Sequence, residues 1–437
     1  MKKVNDKNLL LLTILICSFS EGIRQLLFGL PIAHLGNVLC LYLFVKILIK
    51  KKPARLLEKD ICPYIIWAGT FLLVGCIGAG MFKLGIIDLL WGIRTYLRMF
   101  LLFFDCVLLL EKDDLARLYK IFNIAIAIHF SLTLIQFFAL GIRWDYLNGI
   151  FGTRTGDSSS LHALLLINSC LMLYSFYTTK NSFKEFIVQF AWMTCNAALA
   201  EIRGWYYEII ALLIIYLLFT YDFKRMLKLL PILCAIFISG VALMGAIYPY
   251  TVGFIGTSSG FDDVMEEAHR VDYANAIGRK NQISAMTKPI LDYAKNKTGK
   301  DAGVLTLITG LGMGSADYAT LPVIKSEFFI LNERMGYASF LLSFLYAETG
   351  IIGIIFFNLL WIFLMFKGIR NWKRHKDEAL LLILAASAMA VTIFYNQTLR
   401  TNYGYIMWIF LGTVIVFSDS EKKELQDEDD SNKYHYA

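Results

Sequence analysis

The 437-residue sequence is poor in charged residues, which make up 18% of it, whereas a soluble domain contains about 25%. Hydrophobic residues make up 57%. This balance excludes an ordinary soluble domain and indicates a membrane protein. The net charge of +7 is too small to indicate a particular partner, and no nucleic-acid partner is expected.

The cysteines lack the spacing of a metal or redox site. None of the eight belongs to a CxxC pair, and none falls in the long polar interval at 249–335. They lie in or beside apolar runs, so we expect small core side chains, with neither a disulfide framework nor a zinc site. They are Cys17, Cys40, Cys62, Cys76, Cys106, Cys170, Cys195 and Cys234.

Familiar catalytic and nucleotide-binding patterns are also missing. The sequence has no HExxH, no GxSxG and no carboxylate cluster with metal-ligand spacing. The segment TGLGMGS at 309–315 superficially resembles a phosphate-binding glycine loop, but the third glycine spacing and a following βαβ pattern are absent. We therefore expect a tight turn that lets two backbones approach closely, and no cofactor.

What the sequence does contain is a series of apolar runs of about 20 residues, the length that crosses a bilayer. The runs are continuous rather than alternating, which predicts helices and excludes a barrel. We expect an all-α polytopic membrane protein with twelve spans. They are 8–28, 31–49, 61–81, 86–110, 117–140, 158–179, 184–200, 204–221, 227–248, 336–366, 377–396 and 401–418.

Two features of this division decide the topology. Residues 8–28 are expected to be a retained first span rather than a signal peptide, because the run is long and no small-residue cleavage site follows it. Only Arg203 and Gly204 separate the seventh span from the eighth. If those two spans were one, the predicted orientation of every later span in the membrane would be reversed.

Basic residues concentrate in alternate connections, as the positive-inside rule requires when the N-terminus is cytoplasmic. The predicted organisation is spans 1–9 in 1–248, a partly helical extracytoplasmic loop at 249–335, spans 10–12 in 336–418, and a disordered cytoplasmic tail at 419–437. The short outside connections carry only Lys83, Arg143, Arg154, Arg203 and Arg400.

Two arginines lie inside the fourth predicted span. Arg94 and Arg98 are four residues apart, so they share one helix face. An arginine in a span usually faces a wet cavity or an anionic partner. Alternatively, both side chains reach to the interface or pair with Asp88 and Asp105.

Further arginines lie at outer span ends. Arg203 sits between two spans, where Glu201 is an available partner. Arg24 and Arg400 are expected to be interface residues rather than ligands. In the outer segment 150–166, Arg154 precedes serines that can cap the next helix or, with the arginine, form an anion site. We expect His162, inside that helix, to be a buried structural residue.

Three segments together resemble the O-antigen ligase and O-antigen polymerase superfamily of bacterial surface polysaccharide synthesis. GLGMGS, followed by FLYAETGIIGIIFF, is similar to the family's glycine turn and its Glu-x-Gly signature, which places Glu348, Gly350 and Gly353 on the motif. The twelve spans and the late outer loop agree with it. The likeness covers 85–415 in architecture but only about forty residues in motif.

Two arginines complete the resemblance. Ala200–Gly204 resembles the family's Ser-Arg-Gly step at a span end, with Arg203 on the arginine. RKNQISAMTKPIL resembles the loop segment that begins with an arginine and runs to a proline. Arg279 occupies that arginine, and Arg270 is close enough to be an alternative.

The resemblance implies a metal-independent, inverting glycosyltransferase in the bacterial inner (cytoplasmic) membrane. Its donor would be a glycan on undecaprenyl diphosphate, and its acceptor another lipid-linked repeat unit in a polymerase or a lipid core in a ligase. It also admits a chain-length regulator as a protein partner, besides membrane lipid. The products would be O-antigen, as in lipopolysaccharide, or capsule.

The resemblance also implies roles for individual residues. Arg203 and Arg279 would bind the donor diphosphate with forked hydrogen bonds and neutralise its charge. Glu348 would orient or anchor the loop. Arg94, Arg98, Arg154 and Arg270 are secondary candidates for substrate binding.

One position departs from the family pattern. The ligases carry a His-Asn pair about nine residues before the glutamate, with the histidine as a base, and Ser339 stands there in this sequence. Either the base lies elsewhere, with Asp317, Glu327 and Glu333 as candidates, or little base help is needed. This favours a polymerase over a ligase. A transporter is disfavoured because no internal repeat is visible.

Overall fold

The computed structural model describes residues 6–26, 32–51, 61–153, 158–178, 182–221, 223–249, 277–299, 303–318 and 325–418. These residues are mostly helical, and the only β pairing among them is one bridge between Tyr318 and Lys325. The all-α class is therefore confirmed. The longer helices are α1 (Asp6–Ser18), α2 (Ser20–Leu26), α3 (Ile32–Lys51), α4 (Cys62–Met81), α5 (Ile86–Leu109), α6 (Asp114–Phe138), α7 (Ser158–Tyr177), α8 (Phe183–Leu199), α9 (Arg203–Thr220), α10 (Phe223–Ile247), α11 (Ser284–Thr298), α12 (Gly303–Thr309), α13 (Glu327–Asn332), α14 (Leu341–Asn371), α15 (Lys376–Tyr395) and α16 (Asn402–Ser418).

Eight of these helices are long and apolar enough to cross a membrane, namely α3, α4, α6, α7, α9, α10, α14 and α15. The other four predicted spans also coincide with helices. However, α8 and α16 are shorter, and α5 contains Asp88, Arg94, Arg98 and Asp105. The predicted first span, 8–28, corresponds to two consecutive helices, α1 and α2, with a turn at Phe19 between them, and its last two residues lie outside the described part of the chain. The number twelve remains a prediction.

Contacts between connections agree with the predicted alternation of the spans. Lys7 binds Glu111 at 2.8 Å, which brings the start of the described chain to the connection between α5 and α6. At the opposite end, the Thr153 amide donates to Gln25 Oε1 at 2.8 Å and so joins the segment before α7 to α2. In each case, the distribution of basic residues predicts that the two joined segments lie on the same side of the membrane.

The seventh and eighth predicted spans are separate helices. Helix α8 begins at Ser182 with a capping box, in which the Ser182 side chain accepts from the Glu185 amide and the Glu185 side chain accepts from the Ser182 amide. Helix α9 then returns along α8, since the Tyr206 hydroxyl donates to the Thr194 carbonyl at 3.1 Å. The chain therefore reverses direction around Arg203, as the predicted topology requires.

Burial distinguishes central from peripheral helices. In the most apolar 18-residue stretch of each helix, 94% of the residues of α7 and 78% of those of α15 are buried. The corresponding share in α3 and in α10 is only 22%. Helices α7 and α15 therefore form the centre of the bundle. Apolar side chains exposed on the peripheral helices are suited to contact with lipid.

The glycine turn at 310–315 is inserted into the bundle where α14 is broken. Gly350 has φ +62° and ψ −165°, which no helix contains. The Leu311 amide donates to the Ala347 carbonyl at 2.7 Å, and the Gly312 amide donates to the Glu348 carbonyl at 3.0 Å. The turn thus satisfies carbonyls that the broken helix leaves without helical partners, which is essential at membrane depth.

Steric contacts show why the turn requires glycine. A Cβ on Gly312 would lie 2.4 Å from the Ala79 Cα in α4, and one on Gly314 would lie 2.0 Å from the Asp88 carbonyl oxygen in α5. Both glycines have positive φ angles, +102° and +86°. The expectation of a tight turn that permits close backbone approach is confirmed.

The described part of the predicted extracytoplasmic loop is partly helical and shares a hydrophobic cluster with the start of α14. Met286, Ile290 and Ala294 are buried on one side of α11 and pack with residues that include Phe328 and Tyr337. The partly helical character predicted for 249–335 is thus seen in α11, whereas residues 250–276 lie outside the described residues.

We expect Gly312→Ala to destabilise the protein by about 1–3 kcal/mol, because alanine is strained at this φ and would overlap Ala79. The melting temperature of the purified protein in detergent measures the effect. Gly80→Ala is the matched control, since a Cβ there has no neighbour within 4 Å. That variant should keep or raise the wild-type Tm. Equal Tm values for Gly312→Ala and wild type would contradict the described packing of the turn.

Candidate functional site

A buried ion-pair cluster joins α14 to the connection between α15 and α16, and we call Arg400, Asp317 and Glu348 the Arg400 cluster. Arg400 Nη2 is 3.2 Å from Asp317 Oδ2 and 3.2 Å from Glu348 Oε1. Its guanidinium also lies 3.8 Å from the ring centre of Phe344. Arg400 is only 2% exposed, so the expectation that it is an interface residue is wrong. Burial opposes its charged form, but the carboxylates of Asp317 and Glu348 hold the pKa of Arg400 above its usual range.

Glu348 and Asp317 also form hydrogen bonds that connect α5 and the glycine turn to the Arg400 cluster. Glu348 accepts from the Tyr96 hydroxyl at 3.1 Å and from the Gly314 amide at 3.1 Å. Asp317 accepts from the Thr95 hydroxyl at 3.3 Å. Helix α5, the glycine turn, α14 and the connection between α15 and α16 are therefore joined at one point. The contacts of Glu348 are those of an anchor for the glycine turn.

A second cluster surrounds Tyr395, the last residue of α15. The Arg279 guanidinium lies 4.2 Å from the centre of the Tyr395 ring, and Arg279 Nε donates to the Tyr395 carbonyl at 3.2 Å. Gly204, at the start of α9, packs against the same ring, since a Cβ there would be 2.3 Å from Tyr395 Cε2. Two segments predicted separately, around Arg203 and at Arg279, thus meet at Tyr395. We call this group, together with His162, Glu208 and Asn396, the Tyr395 cluster.

Arg203 lies at the first position of α9 and binds Glu201 at 2.9 Å, as the sequence allowed. Glu201 has a positive φ of +57°, which places it in the reversal between α8 and α9. The Arg203 side chain is 15% exposed, and Arg279 is 6% exposed. Both guanidinium groups are therefore largely removed from bulk solvent, where their interactions with an anion are stronger.

A buried histidine–glutamate pair adjoins these arginines. His162 Nε2 is 2.5 Å from Glu208 Oε2, and the His162 ring lies 4.7 Å from the Tyr395 ring. His162 Nδ1 is 3.5 Å from the Asn396 amide. Within the described residues, Glu208 Oε1 has no hydrogen-bond partner. The expected burial of His162 is confirmed, at 1% exposure.

Sequence reasoning missed Glu208, although a signal was present. It is the one acidic residue in the apolar sequence of α9, RGWYYEIIALLIIYLLFT. An ionisable residue inside a span is costly and usually has a specific partner. Its partner His162 is 46 positions away, so the pairing itself could not be read from spacing.

The two arginines of α5 have different surroundings. Arg98 donates to the Arg400 carbonyl at 3.0 Å and also to the Asn402 side chain, so it joins α5 to the connection before α16. Arg94 Nη2 is 3.0 Å from His34 Nδ1 on α3. Neither arginine pairs with Asp88 or Asp105, so the alternative that these aspartates of α5 neutralise them is excluded.

Two predicted site residues, Arg154 and Arg270, and three candidate bases remain to be placed. Arg154 and Arg270 lie outside the described residues, so their roles remain predictions. Of the candidate bases, Asp317 belongs to the Arg400 cluster, whereas Glu327 and Glu333 pair with lysines of the outer loop. Among the residues that the structure describes, no group of three or more His, Cys, Asp or Glu side chains is placed to bind a metal ion.

A polar groove opens beside Arg279 in the outer loop. It has a volume of about 630 Å³ and lies between α11 and the segment around Asn332. Amide, carboxylate and ammonium groups next to a tyrosine ring are suited to hydrogen bonding and stacking with a polar ligand. The lining includes Asn281, Ser284, Lys288, Asp292, Tyr293 and Asn296.

An apolar groove follows α9 towards the opposite side of the bundle. It has a volume of about 440 Å³ and lies between α8, α9 and α10. The lining residue nearest to Arg203 in sequence is Ile209, six positions along α9, or about 9 Å along the helix axis. Its lining includes Ile209, Leu213, Leu217, Leu230, Leu233 and Phe237.

The architecture defines an all-α, multi-pass membrane protein with polar clusters at one end of its helices. No protein-family model matches the chain, and no curated protein matches it. The resemblance to O-antigen ligases and polymerases, and the identity of the membrane, therefore remain predictions.

We expect Arg400→Met to destabilise the protein by about 3–5 kcal/mol, because it leaves two neighbouring carboxylates buried without their cation. Thermal unfolding in detergent measures the loss. The triple variant Arg400→Met, Asp317→Asn, Glu348→Gln removes all three charges and should recover part of the lost Tm. If the triple variant were no more stable than Arg400→Met, unbalanced charge would not be the cause.

Proposed function

We propose that this protein is a glycosyltransferase that polymerises undecaprenyl-diphosphate-linked oligosaccharide repeat units into a bacterial surface polysaccharide. The observation that supports it is the meeting of Arg203–Gly204 and Arg279 at Tyr395, at the predicted outer end of the bundle. Two motifs far apart in sequence meet at one side chain, and each motif carries an arginine. That arrangement suits a ligand with two phosphates.

The donor diphosphate binds between Arg203 and Arg279 in this proposal. Forked N–H groups match phosphate oxygens, and a largely buried setting strengthens their attraction for developing negative charge. Such fixed charges stabilise the departing diphosphate as the sugar–phosphate bond breaks. This is the role proposed for the two arginines in a metal-independent reaction.

The two grooves suit the two ends of such a donor. The apolar groove along α9 begins about 9 Å from Arg203 and suits an isoprenoid chain in the bilayer. The polar groove beside Arg279 suits sugar hydroxyls, which need both donors and acceptors. A diphosphate at the Tyr395 cluster lies between them.

The His162–Glu208 pair supplies a proton acceptor. An ionised carboxylate only accepts hydrogen bonds, so Glu208 fixes the proton of neutral His162 on Nε2 and leaves Nδ1 with a lone pair. The acceptor hydroxyl oxygen attacks the anomeric carbon opposite the diphosphate, and its proton passes to Nδ1. The carbon–oxygen bond to phosphate breaks with its electron pair on the diphosphate, which inverts the anomeric centre.

Arg203→Ala and Arg279→Ala should each abolish long glycan chains while single repeat units persist, because the leaving diphosphate loses its counter-charge. Surface glycan from cells carrying each variant is compared on gels, after membrane insertion has been confirmed. Lys83→Ala, at an exposed position in another outer turn, should give the wild-type ladder. Unchanged ladders in both arginine variants would remove these residues from the proposal.

His162→Gln should slow polymerisation of purified lipid-linked repeat units by about 100-fold or more while donor binding is retained, because only proton removal is lost. Glu208→Gln should slow turnover less, since the imidazole remains but its orientation is weakened. Turnover and donor binding are measured separately on the same preparations. A purely structural pair would instead lower binding, turnover and Tm together. The same assay separates a polymerase from a ligase, which needs a lipid core, and from a transporter, which forms no glycosidic bond.

A further inference from the structure

Arg94 projects from a face of the bundle that is otherwise apolar. On α5, Ile87 and Leu90 are each 58% exposed, and on the neighbouring α3, Val38 is 63% exposed. Arg94 and His34 lie among these side chains, with Arg94 eight residues into α5, or about 12 Å along its axis. Exposed apolar side chains on such helices face lipid, so the Arg94–His34 pair lies at the boundary between the outer leaflet and the protein.

No carboxylate of the described residues forms an ion pair with Arg94, although Asp317 lies close enough to offset part of its charge. The contacts of Arg94 are His34 Nδ1 at 3.0 Å and the Trp91 ring, whose centre is 4.4 Å away. Neither of these groups is an anion. Arg98, on the same helix face, donates to backbone and amide oxygens. Arg94 therefore keeps most of its N–H donors for a partner from outside the chain.

The contact also fixes the state of His34. Arginine only donates, so Nδ1 of His34 must accept and the ring proton of the neutral imidazole lies on Nε2. The exposed His34 ring then offers a second outward donor beside the guanidinium. Arg98, one turn further along the same helix face, adds a positive charge without a carboxylate among its hydrogen-bond partners. Donors with excess positive charge match a phosphate group.

The Arg94–His34 pair and the Tyr395 cluster are both linked to the connection between α15 and α16. Arg98, four residues after Arg94, binds the carbonyl of Arg400. Arg400 is five residues after Tyr395, a distance of at most about 18 Å for an extended chain. A polymerase must bring two lipid-linked substrates together, and two cationic sites on either side of one connection would hold both.

We propose that Arg94 and His34 bind the phosphate head of a second lipid substrate, the acceptor undecaprenyl diphosphate. This inference rests on the proposed function, because it assigns the second substrate of that reaction. The shared chemistry is a phosphate group on a lipid. The same donors would also accept the head of an ordinary anionic phospholipid, so the test must separate the two sources.

The test counts lipids bound to the protein in phosphatidylcholine nanodiscs by native mass spectrometry, with undecaprenyl diphosphate as the probe. Wild type should bind two molecules. Arg94→Gln and His34→Ala should each lose one or bind it at least about tenfold more weakly. Arg203→Ala combined with Arg279→Ala should lose the other. Lys83→Gln, which removes a nearby exposed charge, should still bind two.

Three outcomes decide the matter. Two equally tight sites in both Arg94→Gln and His34→Ala would overturn the inference. Equal displacement from this site by phosphatidylglycerol would assign it to ordinary anionic lipid and would also overturn it. Loss of one bound undecaprenyl diphosphate in Arg94→Gln, with no displacement by phosphatidylglycerol in the wild type, supports the inference. If wild type makes no glycosidic bonds from lipid-linked repeat units, the proposed function fails separately, whatever the lipid count.

Discussion

The structure depends on one buried guanidinium group that two carboxylates share. Removing a charge from water is costly, and Arg400 is stable at 2% exposure because Asp317 and Glu348 both contact it. Tyr96 and Thr95 complete the hydrogen bonding of those carboxylates. Because these residues come from distant parts of the chain, the cluster can only form when α5, α14, the glycine turn and the last connection are all in place.

The glycine turn and the break in α14 are complementary, because amides of the turn donate to carbonyls at the break. A helix broken at membrane depth exposes carbonyl groups that lipid cannot satisfy, and the amides of Leu311 and Gly312 supply the missing donors. Only residues without a side chain fit so close to α4 and α5. The Glu-x-Gly step therefore has a structural meaning here: Gly350 breaks the helix, and Glu348 holds the turn that fills the break.

The proposed chemistry lies next to this rigid centre rather than within it. The Arg400 cluster is buried and its guanidinium group is paired with two carboxylates of the protein, which suits structural support better than ligand binding. Arg98, on the same helix face as Arg94, donates to the Arg400 carbonyl, and Arg279 of the Tyr395 cluster donates to the Tyr395 carbonyl, so both groups are linked to the connection between α15 and α16. Fixing that connection with buried ion pairs would hold both cationic sites at a constant separation, which a reaction between two lipid-linked substrates requires.

The sequence by itself determined the all-α class, the positions of the helices and the requirement for a tight glycine turn. These properties follow from local composition: the length of apolar runs, breaker residues and the special backbone freedom of glycine. Through the family resemblance, the sequence also suggested Arg203, at a span end, and Arg279, in the long loop, and their roles remain predictions. The helix interruption at Phe19 escaped prediction, although the polar residues Ser18, Ser20 and Glu21 lie beside it.

Only the tertiary structure decided which polar groups are partners. Arg400 and Glu348 are 52 positions apart, Thr95 and Asp317 are 222 apart, and His162 and Asn396 are 234 apart. No periodicity links such residues. Their pairing follows from how the helices pack, and packing also turned Arg400 from an expected interface residue into the most deeply buried cation of the described outer end. A side chain's charge can be read from the sequence, but whether water, lipid or a carboxylate surrounds it depends on the fold.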